Sequence, residues 1–159
     1  MEIYLLRHGI AEERSDTGRD EDRRLTGEGR EKLERVLERA HAGGVAPSAI
    51  ISSPLRRALE TAEIAARQLG YEGKILRSPA LSPGSSPQDV WNLLREHAGE
   101  MAVLLTGHEP LFSATVAHFL GSLRGMVRFR KGALVCIDVE DGRSVPEGVL
   151  QWMITPRLG

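Results

Sequence analysis

A chain of 159 residues is long enough for one domain with a sizeable core, and its 21 basic and 22 acidic side chains leave a formal charge of −1. No overall basic excess points to nucleic acid and no polybasic run to a membrane. No apolar stretch approaches the roughly 20 residues of a bilayer span. The N-terminus lacks a basic region followed by a long apolar one, so a cytoplasmic protein is expected, with residues 1–159 forming a single domain.

The first apolar run, Ile3-Tyr4-Leu5-Leu6, predicts a strand over 2–7 that leads straight into Arg7-His8-Gly9. Ligands of open α/β sheets bind outside the carboxyl ends of the strands, and a histidine beside a fixed cation there suits a phosphate oxyanion. Residues 11–24 crowd acids and bases together and read as a disordered, solvated loop. Because it leaves the same end of the sheet it can fold over a pocket as a rim, which makes Arg23 a candidate contact for a phosphate or an acidic partner. Residues 27–42 carry Leu33, Val36, Leu37 and Ala40 on one helical stripe, with Thr26 as N-cap.

A strand over 49–52 runs into Ser52-Ser53-Pro54-Leu55-Arg56-Arg57-Ala58. A helix is expected over 54–69, with Ser53 as cap, Pro54 in the first turn and Leu55, Leu59, Ala62, Ala66 and Leu69 on the buried face. Free backbone N–H groups and the helix dipole favour an anion at such a start, and an arginine fork adds bidentate reach. Arg56 is spaced i,i+4 from Glu60 and i,i+7 from Glu63, an exposed ion-pair stripe, which leaves Arg57 as the better ligand. A weaker strand lies near 74–77, and Ser86-Pro87-Gln88-Asp89 opens a third helix with a capping-box pattern.

The apolar run over 102–106 fits a strand buried on both faces, and Gly107-His108-Glu109-Pro110 places a second imidazole at the start of a fourth helix. That helix, about 111–120, buries Phe112, Val116, Phe119 and Leu120. Strands over 133–139 and 149–154 flank Asp141-Gly142, a hairpin signal that implies at least one antiparallel strand. Cys136 sits within the first of these strands as a small buried hydrophobe. The alternation of strands and helices predicts an α/β fold, a three-layer α/β/α sandwich around a mainly parallel sheet. His41, His97 and His118 show no metal-ligand spacing and read as surface or packing residues.

Three strand ends thus supply cations or imidazoles. The pattern L-L-R-H-G, then S-S-P-L-x-R-A-x-x-T-A, then T-G-H-E-P, resembles the histidine phosphatase (phosphoglycerate mutase-like) superfamily over nearly the whole chain. The compact size and the segment from Asp20 to Thr26 look most like the SixA branch of phosphohistidine phosphatases. The resemblance implies that His8 is the nucleophile, Arg7 and Arg57 the phosphate clamps and His108 the second pocket histidine, with no metal or cofactor.

The residues support that reading. A dianionic phosphoryl group needs positive charge on its oxygens and an in-line nucleophile. Arg7, Arg57 and a cationic His108 can supply the charge, and His8, kept neutral by nearby arginines, the nitrogen. Residues 77–87 contain no acid to protonate an alkoxide, which favours a phosphoramidate such as phosphohistidine, although Glu12, Glu13, Glu109 or Asp89 could serve from elsewhere. The expected function is a metal-independent phosphatase acting on phosphohistidine in a protein. The alternatives are a phosphatase for a small phosphorylated molecule, and a phosphate- or phosphoprotein-binding module without turnover. Neither nucleic acid nor membrane is an expected partner.

Overall fold

The computed structural model describes residues 1–122, 127–140 and 143–157. Six strands form one sheet: β1 (Glu2–Arg7), β2 (Ala49–Ser52), β3 (Leu76–Arg77), β4 (Ala102–Gly107), β5 (Leu134–Val139) and β6 (Gly148–Ile154), in the spatial order β3-β2-β4-β1-β5-β6. The pairings β1–β4, β2–β4 and β2–β3 are parallel, whereas β5 runs antiparallel to both β1 and β6. The expected mixed sheet is therefore present; Asp141-Gly142, read as its hairpin turn, lies outside the described residues.

Four helices cover the two faces: α1 (Gly27–Ala42) and α2 (Arg56–Gln68) on one, α3 (Pro87–Glu96) and α4 (Leu111–Phe119) on the other. Strand side chains alternate between the faces. Ile3 and Leu5 join Val90, Trp91, Leu94, Phe112 and Phe119 in one core. Tyr4 and Leu6 join Leu33, Val36, Leu37, Ala62 and Ala65 in the other. The sheet is thus buried on both sides, which is why β1, β2 and β4 read as continuous apolar runs.

Local signals hold at most ends. The Thr26 hydroxyl accepts from the Gly29 N–H to cap α1, and Ser86 and Asp89 form the capping box of α3. The start of α2 differs from expectation. Its cap is Leu55, two residues beyond Ser53, with no side-chain cap bond of its own; the Ser53 hydroxyl accepts from the Leu55 N–H at 3.3 Å and also meets His108. Its buried face is also rotated, carrying Arg57, Ala58, Thr61, Ala62, Ile64 and Ala65, while Leu55 and Leu59 are only half-buried. Leu120, expected in the core, is exposed just past the end of α4.

The loop over 11–24 is ordered, against the reading of it as disordered. Ala11 bridges Leu25, and the Glu12 and Thr26 N–H groups donate to Arg24 and Ile10 carbonyls. Asp20–Asp22 form a 3-10 turn, and Thr17 donates to Asp22 at 2.6 Å. Backbone pairing and short polar side chains close this segment on itself, a device that composition alone does not reveal.

Candidate active site

Sheet register builds the site. Arg7 of β1 lies opposite Gly107 of β4, and Ser52 of β2 opposite Thr106, so the next residues of all three strands, His8, His108 and Ser53, emerge side by side at the carboxyl edge. The His8 N–H donates to the Gly107 carbonyl and the Ser53 N–H to that of Thr106, both at 3.0 Å, which extends the ladder by one residue past the strand ends. The His8 and His108 rings stand 5.2 Å apart between centroids, inclined by 55°.

His8 is buried, and its Nδ1 lies 2.7 Å from the Gly9 carbonyl. A carbonyl only accepts, so Nδ1 carries the proton and the neutral ring keeps its lone pair on Nε2. Burial is the main force that pulls its pKa down to about 3. The bond to Gly9 opposes the shift, and the His108, Arg57 and Arg7 charges add to it. The arginines were expected to be the cause, but they come after desolvation. Gly9 makes this placement possible through space rather than unusual backbone: a Cβ there would sit 2.7 Å from Leu33 Cδ1.

His108 is also buried, with Nε2 held 2.8 Å from the Ser53 hydroxyl and Nδ1 without a partner. Burial first, then the Arg57 charge, brings its pKa down to about 4, with Asp20 opposing. The surroundings therefore favour the neutral form at pH 7 rather than the cation expected from sequence. A dianionic phosphoryl group beside the ring would favour its protonation.

Arg57 points inward from the first turn of α2 with its side chain only 6% exposed, whereas Arg56 points outward to Glu60 at 3.6 Å. No ion pair forms with Glu63 among the described residues. The Arg57 guanidinium donates to the Asp20 carbonyl at 3.0 Å and to the Asp20 carboxylate at 3.2 Å. Arg23 faces that same carboxylate at 2.9 Å and donates to the Glu12 carbonyl. Arg7 donates to the Phe129 carbonyl at 2.7 Å while its Nε stays unpartnered.

The structure thus brings Arg7, His8, Arg57 and His108 together and sets Arg23 at their rim, joined to Arg57 through Asp20. Three contributors were not singled out in the sequence. Ser53, read as a helix cap, orients His108. Thr61, one turn along α2 from Arg57, accepts from the Gly9 N–H at 3.2 Å and donates to the Arg57 carbonyl at 2.7 Å, tying the residue after His8 to the helix that carries the arginine. Asp20 opens the segment that carries the SixA resemblance, but nothing in the sequence assigned it a role. Among the described residues no group of three or more His, Cys, Asp or Glu side chains is arranged to hold a metal ion.

The combination of two imidazoles and two arginines on a mixed α/β sheet is the arrangement of a phosphate-handling site. Residues 3–82 match the histidine phosphatase superfamily, branch 1, and the chain belongs to that family. An uncharacterized protein of Picosynechococcus sp. is 34% identical over 143 residues, covering 84% of this chain and 87% of its own length. Among solved structures, the protein histidine phosphatase SixA complexed with tungstate superposes with a TM-score of 0.89 at 23% identity, over 99% of this chain and 98% of the other. A mycobacterial glucosyl-3-phosphoglycerate phosphatase does so with a TM-score of 0.70 at 20% identity, over 94% and 96%. At these identities the structural likenesses establish the shared fold.

Proposed function

We propose that this protein is a metal-independent phosphatase that cleaves phosphohistidine in a protein through a covalent intermediate on His8. The observation that carries the reading is the His8 ring itself: neutral, with Nδ1–H held by the Gly9 carbonyl, so that Nε2 is the free nucleophile beside Arg7 and Arg57. His8 Nε2 attacks phosphorus, the phosphorus–nitrogen bond of the substrate breaks, and the departing imidazole takes the electron pair and a proton from solvent. Water then attacks the phospho-His8 phosphorus, inorganic phosphate leaves, and the Nε2 lone pair is restored. Arg7 and Arg57 meet the charge on the phosphoryl oxygens, and His108 donates a hydrogen bond once the dianion favours its protonation.

The placement of the acids favours a phosphoramidate substrate. Residues 77–87 carry none, the Glu12 carboxylate accepts from the Arg24 N–H, and the Asp89 carboxylate is occupied by Ser86 in the α3 cap. An imidazole leaving group needs less protonation than an alkoxide. The second reading, a phosphatase for a small phosphorylated metabolite, is favoured by Glu109. That half-buried acid is close enough for its charge to act on Arg7, although one oxygen accepts from the Ser113 N–H at 2.7 Å.

The test compares kcat/KM for a histidine-phosphorylated protein and for a sugar phosphate at matched pH, with and without EDTA, using His8→Ala as control. The phosphohistidine protein should be cleaved much faster, EDTA should change nothing, vanadate should inhibit, and His8→Ala should lose at least about 10³-fold in turnover. A clear win for the sugar phosphate replaces the substrate assignment with the metabolite reading. Substantial turnover by folded His8→Ala removes the nucleophile.

A further inference from the structure

Beside the phosphate site lies a cleft of about 570 Å³ whose lining includes Arg7, Lys32, Arg130, Lys131 and Arg157 and, among the described residues, no carboxylate. Five cations on one concavity stand out in a chain of formal charge −1. Like charges repel, so such segregation costs stability unless something anionic is bound there. Arg130, Lys131 and Arg157 are exposed and have no acidic partner among the described residues; Lys32 pairs with Glu28 at 2.7 Å, and the Glu109 charge acts on Arg7.

The cleft is coupled to the nucleophile through the backbone. The Gly132 N–H donates to the Arg7 and His8 carbonyls, both at 3.1 Å, and the Arg7 N–H donates to Ala133. The Arg130-Lys131 turn is therefore strapped to the strand end that presents His8. Gly132 makes the turn possible with a φ of +76°, and a Cβ there would meet Pro156 at 3.2 Å, just before Arg157. Arg7 belongs to both places, to the phosphate site by its charge on His8 and to the cleft as part of its wall.

We propose that this cleft docks an acidic segment of the protein that carries the scissile phosphoryl group. The proposal rests on the phosphoprotein reading above and names what such a substrate presents next to its phosphorylated residue. Pockets built for small molecules are mostly apolar, with a few fixed polar groups. Five of the seven lining residues here are cations, on long side chains from four separate segments and exposed at Arg130, Lys131 and Arg157, which suits a run of carboxylates steered in by the field of the cleft rather than one rigidly clamped group.

Two peptides test it, each with a central phosphohistidine, one flanked by glutamates and the other by glutamines. The readout is the ratio of their kcat/KM values in the wild type and in the triple variant Arg130→Gln, Lys131→Gln, Arg157→Gln. The wild type should prefer the glutamate peptide by about tenfold at low salt, the preference should shrink as salt is raised towards about 0.2 M, and the triple variant should bring the ratio near one. A wild-type ratio near one, or a preference that survives the triple variant, overturns the proposal. Binding of a fluorescent octaglutamate peptide, read by anisotropy, separates the two claims, since it needs no turnover. Weakening of about tenfold in the triple variant supports the docking cleft even where neither phosphohistidine peptide is cleaved, a result that overturns only the phosphohistidine assignment. Equal octaglutamate binding by both proteins overturns the cleft.

Discussion

Arg56 and Arg57 are neighbours in the chain, yet the side chain of one is 43% exposed beside Glu60 and that of the other 6% exposed beside Asp20. Exposed i,i+4 pairs contribute little, so Arg56→Ala should change kcat/KM by less than about twofold. Arg57→Ala removes a charge that acts on both imidazoles and should lower kcat/KM by about 10²–10³-fold, with equal losses showing that the face of α2 is misassigned. Asp20 bears on the same guanidinium. Its carboxylate engages Arg57 and Arg23 as a phosphoryl oxygen would, so an incoming oxyanion competes with it. Asp20→Asn should tighten inhibition by vanadate about threefold to fivefold, the modest size following from the exposure of the aspartate. Weaker inhibition would instead make Asp20 the residue that holds Arg57 in position.

At the scale of elements, the site depends on how β1 meets α2. Thr61 makes that joint, taking the Gly9 N–H and giving its proton to the Arg57 carbonyl. Thr61→Val preserves shape but leaves the buried Gly9 donor unsatisfied, at about 1–3 kcal/mol. We expect a fall of roughly 5 °C in Tm and about tenfold in kcat, with Thr61→Ser restoring most of the activity. Full activity in Thr61→Val would show that β4 and the Gly132 turn hold His8 without the joint to α2. The same joint explains what was legible locally. The caps at Thr26 and Ser86 followed from short-range spacing, but the start of α2 did not: the Ser53 hydroxyl, which accepts from the Leu55 N–H, is shared with His108, a residue 55 positions further on.

Across the whole molecule, two buried histidines held neutral make stability depend on pH. Their pKa values, lowered to about 3 for His8 and about 4 for His108, lie below that of an unfolded histidine, near 6.5. Between these values the unfolded chain binds more protons than the native one, so the contribution is fully present above about pH 6.5 and is lost as pH falls through the window towards the folded values. Near pH 4.5 each ring should have cost ~2.5 kcal/mol of stability relative to neutral pH. Thermal melts of the wild type against a His8→Asn, His108→Asn double variant check this. The variant's Tm should fall distinctly less on acidification, and parallel curves would show that the rings titrate normally in the native state.

The residue types, their order and the strand ends that carry them were readable in the chain, because an apolar run followed by Arg-His-Gly, or by Gly-His-Glu-Pro, announces itself within a few residues. The three-layer architecture followed from the same local alternation. Tertiary structure decided what depends on pairing at a distance. The register Arg7–Gly107 and Ser52–Thr106 brings His8, Ser53 and His108 together, burial sets both imidazoles neutral, and the fold of the 11–24 segment delivers Asp20 to Arg57. The basic cleft belongs to this second kind, since Lys32, Arg130 and Arg157 are separated by many tens of residues or more than a helix and meet only where the β5 turn is bonded to the end of β1. Short-range chemistry specifies the groups and the elements that hold them; their mutual distances, and therefore their protonation and partners, arise from long-range packing that no local pattern encodes.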